Sequence, residues 1–99
     1  MSRPFNSPDV FRAIAHPARR RILDLLRGGD LTPGDLASHF RITKPAVSLH
    51  LRALRQAGLV QEHRNGLRLL YSLSPKALGP VSTWIAPFQA RMAPPARSR

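Results

Sequence analysis

The run Thr43-Lys44-Pro45-Ala46-Val47-Ser48-Leu49-His50-Leu51-Arg52-Ala53-Leu54 carries the most specific chemistry in the chain. Val47, Leu51 and Leu54 recur at i, i+4 and i+7, the buried stripe of an amphipathic helix. At about 100° per residue, Lys44, Pro45, Ser48, Leu49 and Arg52 fall away from that stripe. Ser48 can donate to or accept from a base edge or a phosphate, and Lys44 can reach guanine or phosphate. Leu49 and Pro45 offer apolar surface to a thymine methyl, and Arg52 is placed for backbone phosphate. Thr43 is the expected cap of this helix, whose first turn tolerates Pro45. The same residues would also suit an ordinary solvated face, so the neighbouring elements must decide between the two.

Those neighbours favour contact with a duplex. Thr32-Pro33-Gly34-Asp35 is a helix start, with Thr32 as cap, Pro33 in the first position and Asp35 where a capping-box acid belongs. Asp is shorter than the preferred Glu, which leaves the reciprocal bond open. Leu36 and Phe40 face inward, and Arg41-Ile42 leaves room only for a tight turn. Two helices joined this way can push the second into a major groove. Gly58 is a left-handed terminator for the second helix. Beyond it, Asn65-Gly66 is a strong hairpin signal, with both residues expected at positive φ. Leu67, Leu69, Tyr71 and Leu73 alternate on the returning strand and predict one buried face. Arg64 and Arg68 flank the tip, where arginine suits the negative potential of a narrow minor groove. The reading is a winged helix-turn-helix DNA binder.

The rest of the chain supplies packing. Residues 1–6 read as a flexible arm. Ser7 reads as an N-cap, with Pro8 and Asp9 in the first turn and Val10, Phe11 and Ile14 at helical spacing. Pro17 restarts the chain as a second helix to about Arg27, with Ala18, Ile22, Leu25 and Leu26 inward and Gly28-Gly29 as its end. Of Arg19-Arg20-Arg21, Arg19 is the choice for a phosphate contact. From about Pro80, Val81, Trp84, Ile85, Phe88 and Met92 form an apolar stripe on a last helix that Pro87 should kink. A domain this small cannot hide two such terminal stripes. Val10, Phe11, Ile14, Val81, Trp84, Ile85 and Phe88 are therefore the expected homodimer interface. The domain runs from residue 7 to 92, and residues 93–99 read as a disordered basic tail.

Composition narrows the function. With 99 residues and 42% hydrophobic content the chain suits one small folded domain. Its formal charge of +11, from 16 Lys and Arg against 5 Asp and Glu, favours a polyanion. Nucleic acid comes first, and an anionic membrane surface second. Apart from Lys44 and Lys76 every one of those cations is Arg, whose planar fork matches phosphate and guanine edges. There is no cysteine, so disulfides, thiolate metal sites and thiol switches are excluded. No apolar run approaches the roughly 20 residues that span a bilayer. No signal peptide is visible, which predicts a cytoplasmic protein without membrane insertion. His16, His39, His50 and His63 lack metal-ligand spacing, and His50, beside the buried stripe, reads as a packed, hydrogen-bonded residue. His39 and His63 read as surface residues. With few, scattered acids and no nucleophile–base pair, the chain does not read as an enzyme, and no cofactor or metal is expected.

The residues resemble the ArsR-type winged helix-turn-helix repressors. The likeness spans roughly Val10 to Phe88. It rests on His16-Pro17-Ala18-Arg19-Arg20-Arg21-Ile22-Leu23, Asp35-Leu36-Ala37, Ser48-x-His50-Leu51-x-x-Leu54-x-x-x-Gly58-Leu59-Val60, and the hairpin from Arg64 to Leu73. It implies that the Thr43 helix is the recognition helix, the hairpin is the wing, and the first and last helices build a homodimer. Members that sense metals through the third helix carry cysteines where Thr32 and Gly34 stand here. Members that sense zinc through the last helix use acids and histidines, and residues 75–99 contain no Asp, Glu or His. The Trp84-Ile85-Ala86-Pro87-Phe88 segment resembles the SdpR-like branch, whose members repress their own operons without a known bound metal.

Together these features predict a mainly α domain of about five helices plus a two-stranded wing. The function they predict is a homodimeric repressor of double-stranded DNA at an inverted repeat, without cysteine-based metal sensing. A sequence-tolerant architectural DNA binder is the alternative, and a protein-interaction module without DNA is a third reading that the charge opposes. An unknown effector or a sequestering protein is compatible with the first reading, and no residue specifies either.

Overall fold

The computed structural model describes residues 9–92. The expected arm (1–6), the Ser7 cap with Pro8, and the tail (93–99) lie outside them. Eight elements follow in order: α1 (Val10–Ala13), α2 (Pro17–Leu26), α3 (Pro33–Phe40), α4 (Lys44–Gln56), β1 (Val60–Asn65), β2 (Arg68–Leu73), a 3-10 turn (Pro75–Leu78) and α5 (Gly79–Met92). Among the described residues the architecture is five α-helices with one antiparallel hairpin.

Local chemistry sets most boundaries. Asp9, expected inside the first turn of a helix, is instead the cap of α1. Its backbone is extended and its carboxylate accepts from the Phe11 N–H at 2.9 Å. The capping box of α3 is complete: Asp35 N–H donates to Thr32 Oγ1 at 3.0 Å, and Thr32 N–H donates to Asp35 Oδ2 at 3.1 Å. The shorter Asp therefore serves where Glu is usual. Thr43 caps α4 by accepting from Ala46 N–H at 3.2 Å. Between α3 and α4, Arg41 takes a left-handed conformation (φ 56°) that a side chain adopts at a cost. That residue gives the two helices their tight turn.

The core lies where α2, α3, α4 and the foot of the hairpin meet. Ile22, Leu36, Val47, Leu51, Leu54, Leu59 and Val60 are its fully buried side chains. On α2 the inward set is Ile22, Leu23 and Leu26, with Ala18 and Leu25 only partly covered. Gly58, at φ 80°, ends α4 and turns the chain into β1.

The hairpin differs from the expectation in two respects. Asn65 pairs with Arg68, so the two-residue loop is Gly66-Leu67, not Asn65-Gly66. Gly66 has φ 67°, while Asn65 and Leu67 do not have positive φ, which is the pattern of a type II′ loop. Leu67 is consequently at the tip and 98% exposed, outside any buried face. Nor is only one face of β2 covered. Leu70 and Tyr71 are consecutive and both buried, because α2 and α3 both pack against this strand. Leu31 adds a single-residue bridge to the strand's outer edge through two backbone hydrogen bonds with Tyr71, of 3.1 and 2.9 Å.

Candidate nucleic-acid interface

α3, the Arg41 turn and α4 together display the outer face of α4. Val47, Leu51 and Leu54 have no exposed surface and fix the helix rotation. Thr43, Lys44, Pro45, Ser48, Leu49 and Arg52 are all exposed as a result. Leu49 is 67% exposed, an apolar side chain in a polar surround. Arg55 and Gln56 extend the same surface toward the C-terminal end. No acidic side chain lies on α4. The face therefore presents donors, two cations and an apolar patch, the set that reads base edges and phosphates.

Behind the helix lies Arg19, the residue of its triplet expected to meet phosphate. It is partly buried, and its Nε donates to His50 Nδ1 at 3.4 Å. His50 is partly covered, as expected of a packed histidine, with the His16 ring centroid 6.3 Å away. Burial holds the His50 pKa below its ordinary value, and the charges of Arg19 and His16 add to the effect. Arg20 turns back to the Ile14 carbonyl at 2.7 Å.

The wing is tied down by three carboxylates, Glu62, Asp30 and Asp35, that no local spacing places there. Arg55 of α4 donates to Glu62 of β1, and the Tyr71 hydroxyl donates to the other Glu62 oxygen at 3.3 Å. Burial raises the Tyr71 pKa, reinforced by the Glu62 charge and hydrogen bond, with Arg55 opposing. His63 Nε2 lies 3.0 Å from Asp30 Oδ2, joining β1 to the loop after α2. Arg68 Nη2 lies 4.0 Å from Asp35 Oδ2. The Thr32 backbone N–H and hydroxyl hold the Asp35 carboxyl below its usual value, and Arg68 and His39 add to this.

Arg64 and Arg68 thus differ. Arg64 stands opposite Leu69, whereas Arg68 stands opposite Asn65, so the two point to opposite faces of the ribbon. Arg64 is exposed and in no ion pair among the described residues. Arg68 is exposed too, with the Asp35 carboxylate of α3 4.0 Å away. The signal for these ties was pairing register, which spacing in the sequence does not reveal.

At the opposite end, Phe11 and Trp84 meet edge to face with ring centroids 6.0 Å apart, and Trp84 lies 5.0 Å from Phe88. Phe11, Trp84, Phe88 and Met92 remain exposed large hydrophobics. Val10 belongs to the chain's own core, and Ile14 and Val81 pack against it. Ile85 is half-buried. Pro87 lies within α5, and none of that helix is fully buried. Among the described residues no three His, Asp or Glu side chains converge on a common point, and no helix is long and apolar enough to cross a membrane.

The sequence profile of bacterial regulatory proteins of the arsR family matches residues 16–62. The chain is 49% identical over 80 residues to the transcriptional repressor SdpR of Bacillus subtilis (strain 168), covering 81% of this chain and 89% of that protein. It is 38% identical over 88 residues to the HTH-type transcriptional regulator Rv2034 of Mycobacterium tuberculosis (strain ATCC 25618 / H37Rv), with 88% of this chain and 82% of the relative covered. A crystal structure described as a possible transcriptional regulator for arsenical resistance superposes with a TM-score of 0.70 at 33% identity. That superposition covers 85% of this chain and 95% of the other.

Proposed function

The chain belongs to the arsR family of bacterial regulatory proteins, and from that premise we propose that it represses transcription as a symmetric homodimer on an inverted-repeat operator. It is a DNA-binding transcriptional regulator. The observation that carries the finer reading is the outer face of α4. Its buried stripe leaves Lys44, Pro45, Ser48, Leu49 and Arg52 no partner within the domain core. In this reading Ser48 and Lys44 meet base edges, Leu49 and Pro45 meet a thymine methyl, and Arg52 and the Thr43 end meet backbone phosphate. Arg64 extends along the minor groove, and Arg68, on the other face of the ribbon beside Asp35, contributes less. Arg19 sits behind the helix as a positioning group for His50 through its Nε, which leaves its Nη groups for a phosphate.

The exposed ring cluster of Phe11, Trp84 and Phe88 supports pairing through α1 and α5, with Ile14, Val81 and Ile85 at the margin and Val10 beneath. Two-fold pairing would set two copies of α4 about 34–36 Å apart, one turn of DNA. The protein acts in the cytoplasm, alongside the DNA. The family's third-helix metal site has no counterpart at Thr32 and Gly34, so regulation in this reading does not pass through those positions.

The test is selection of genomic fragments by purified protein, followed by titration of the recovered site. Ser48→Ala and Lys44→Ala should each weaken operator binding by about 1–3 kcal/mol while leaving binding to random DNA nearly unchanged. If both variants bind the operator as the parent does, α4 is not the reading element. Equal affinity for operator and random DNA at physiological salt would favour the architectural alternative.

A further inference from the structure

A cavity of about 300 Å³ opens between α2, the foot of the wing and the turn into α5. Ile14, Leu23, Leu73 and Leu78 make it predominantly apolar, and Arg20, Asp24 and Arg27 stand at its edge. The volume is at the lower end of the roughly 300–1,000 Å³ typical of small-molecule sites. Its edge is unbalanced in charge. Asp24 Oδ1 lies 3.7 Å from Arg27 Nη1, so these two answer each other. Arg20 has no acidic partner among the described residues, and one of its five N–H groups donates to the Ile14 carbonyl at 2.7 Å. That bond fixes the guanidinium at the cavity mouth and leaves the rest of its fork available to a planar anion.

We propose that this cavity binds a small organic monoanion with an apolar body, and that the ligand regulates DNA binding. The carboxylate pairs with Arg20, and a chain of about six to eight carbons lies among Ile14, Leu23, Leu73 and Leu78. The charge complementarity selects an acid over an alcohol or an amine of the same length. The regulatory part rests on the function proposed above and on position. The cavity touches α2, which packs behind α4, the last residue of β2, and the turn that aims α5. A ligand that spreads these elements alters the wing and the proposed pairing helix together.

The experiment uses the full chain and octanoate as probe, followed first by methyl NMR without DNA. Octanoate should produce saturable shifts at the Leu73 and Leu78 methyls, with octanol about tenfold weaker and octylamine weaker still. Arg20→Gln should lower octanoate affinity about tenfold to the octanol level and leave octanol unchanged. Arg20→Lys, which keeps the charge, should recover part of the loss, and Leu78→Trp should abolish both by filling the space. Octanol binding as tightly as octanoate would overturn the proposal. So would shifts confined to the Ile85 and Met92 methyls, which would place the probe on the exposed ring cluster. A second arm measures operator affinity with the cavity saturated and expects a drop of about tenfold. Unchanged operator affinity would overturn the regulatory role alone. Because the first arm contains no DNA, its failure is distinct from a failure of the DNA-binding reading.

Discussion

Arg64 and Arg68 occupy similar places in the sequence, yet the structure predicts unequal roles on DNA. Each phosphate neutralised by a cation contributes about 0.9 to the slope of log affinity against log salt. A homodimer carries two copies, so Arg64→Ala should flatten that slope by about 1.8. Between 50 and 200 mM salt, a fourfold change, this amounts to about one log unit, or roughly a tenfold weaker salt response. Arg68 lies 4.0 Å from Asp35, so its charge is already partly answered within the chain. Arg68→Ala should move the slope by less than half as much as Arg64→Ala. Asp35→Asn keeps an amide oxygen for the Thr32 N–H and removes the competing charge, so it should steepen the slope, and adding Arg68→Ala should cancel the gain. Fluorescence anisotropy with a labelled operator duplex over this salt range measures the parent and all four variants. Equal slope changes for Arg64→Ala and Arg68→Ala would refute the argument that register and Asp35 separate them. No change for either would remove the wing from the DNA altogether.

Three further outcomes are expected. Glu62→Ala should destabilise the fold by about 1–2 kcal/mol in urea unfolding, since it strands the half-buried Tyr71 hydroxyl and breaks an exposed pair. An Arg55→Ala/Glu62→Ala cycle should then show about 0.2–1 kcal/mol of coupling, and strict additivity would deny the tie. His50 has a folded-state pKa below its ordinary 6.5, so the unfolded chain binds more protons between the two values. The corresponding stability is present above pH 6.5, is lost as pH falls from there to the lowered value, and levels off below it; His50→Asn should remove that step from a pH series of melting curves. Trp84→Asp should leave the fold intact by circular dichroism yet yield a monomer in sedimentation and lower operator affinity by at least about a hundredfold, since half the contacts are lost. A dimer that survives this change is not held by the ring cluster.

The helices were legible in the sequence because their determinants are local. Thr32 and Thr43 are caps whose partners lie three residues on, and the stripe Val47, Leu51, Leu54 repeats within one helix. The exposed face of α4 follows from that stripe alone, which turns Ser48, Leu49 and Arg52 outward. The wing was harder to read, because its details are set by pairing across strands. Asn-Gly is a strong turn signal, but sliding the loop by one residue to Gly66-Leu67 keeps glycine at the single position that needs positive φ. Tertiary cover then overrides alternation: with α2 and α3 both against β2, Leu70 and Tyr71 can be buried side by side. The bridge from Leu31 and the hydrogen bond from Arg19 to His50 join residues 40 and 31 positions apart, where no local pattern operates.

The distribution of acids argues that the charge imbalance is organised. The chain has only five, and each has a structural partner: Asp9 caps α1, Asp24 meets Arg27, Asp30 meets His63, Asp35 closes a capping box beside Arg68, and Glu62 joins Arg55 to Tyr71. Three of them hold the wing to the helical body, and none stands on α4. Concentrating them at the hinge of the wing fixes the angle between hairpin and α4, the quantity that decides whether both can meet successive grooves. The exposed face of α4 itself carries Lys44 and Arg52 and no acid, so a phosphate backbone approaching it meets no carboxylate on that helix.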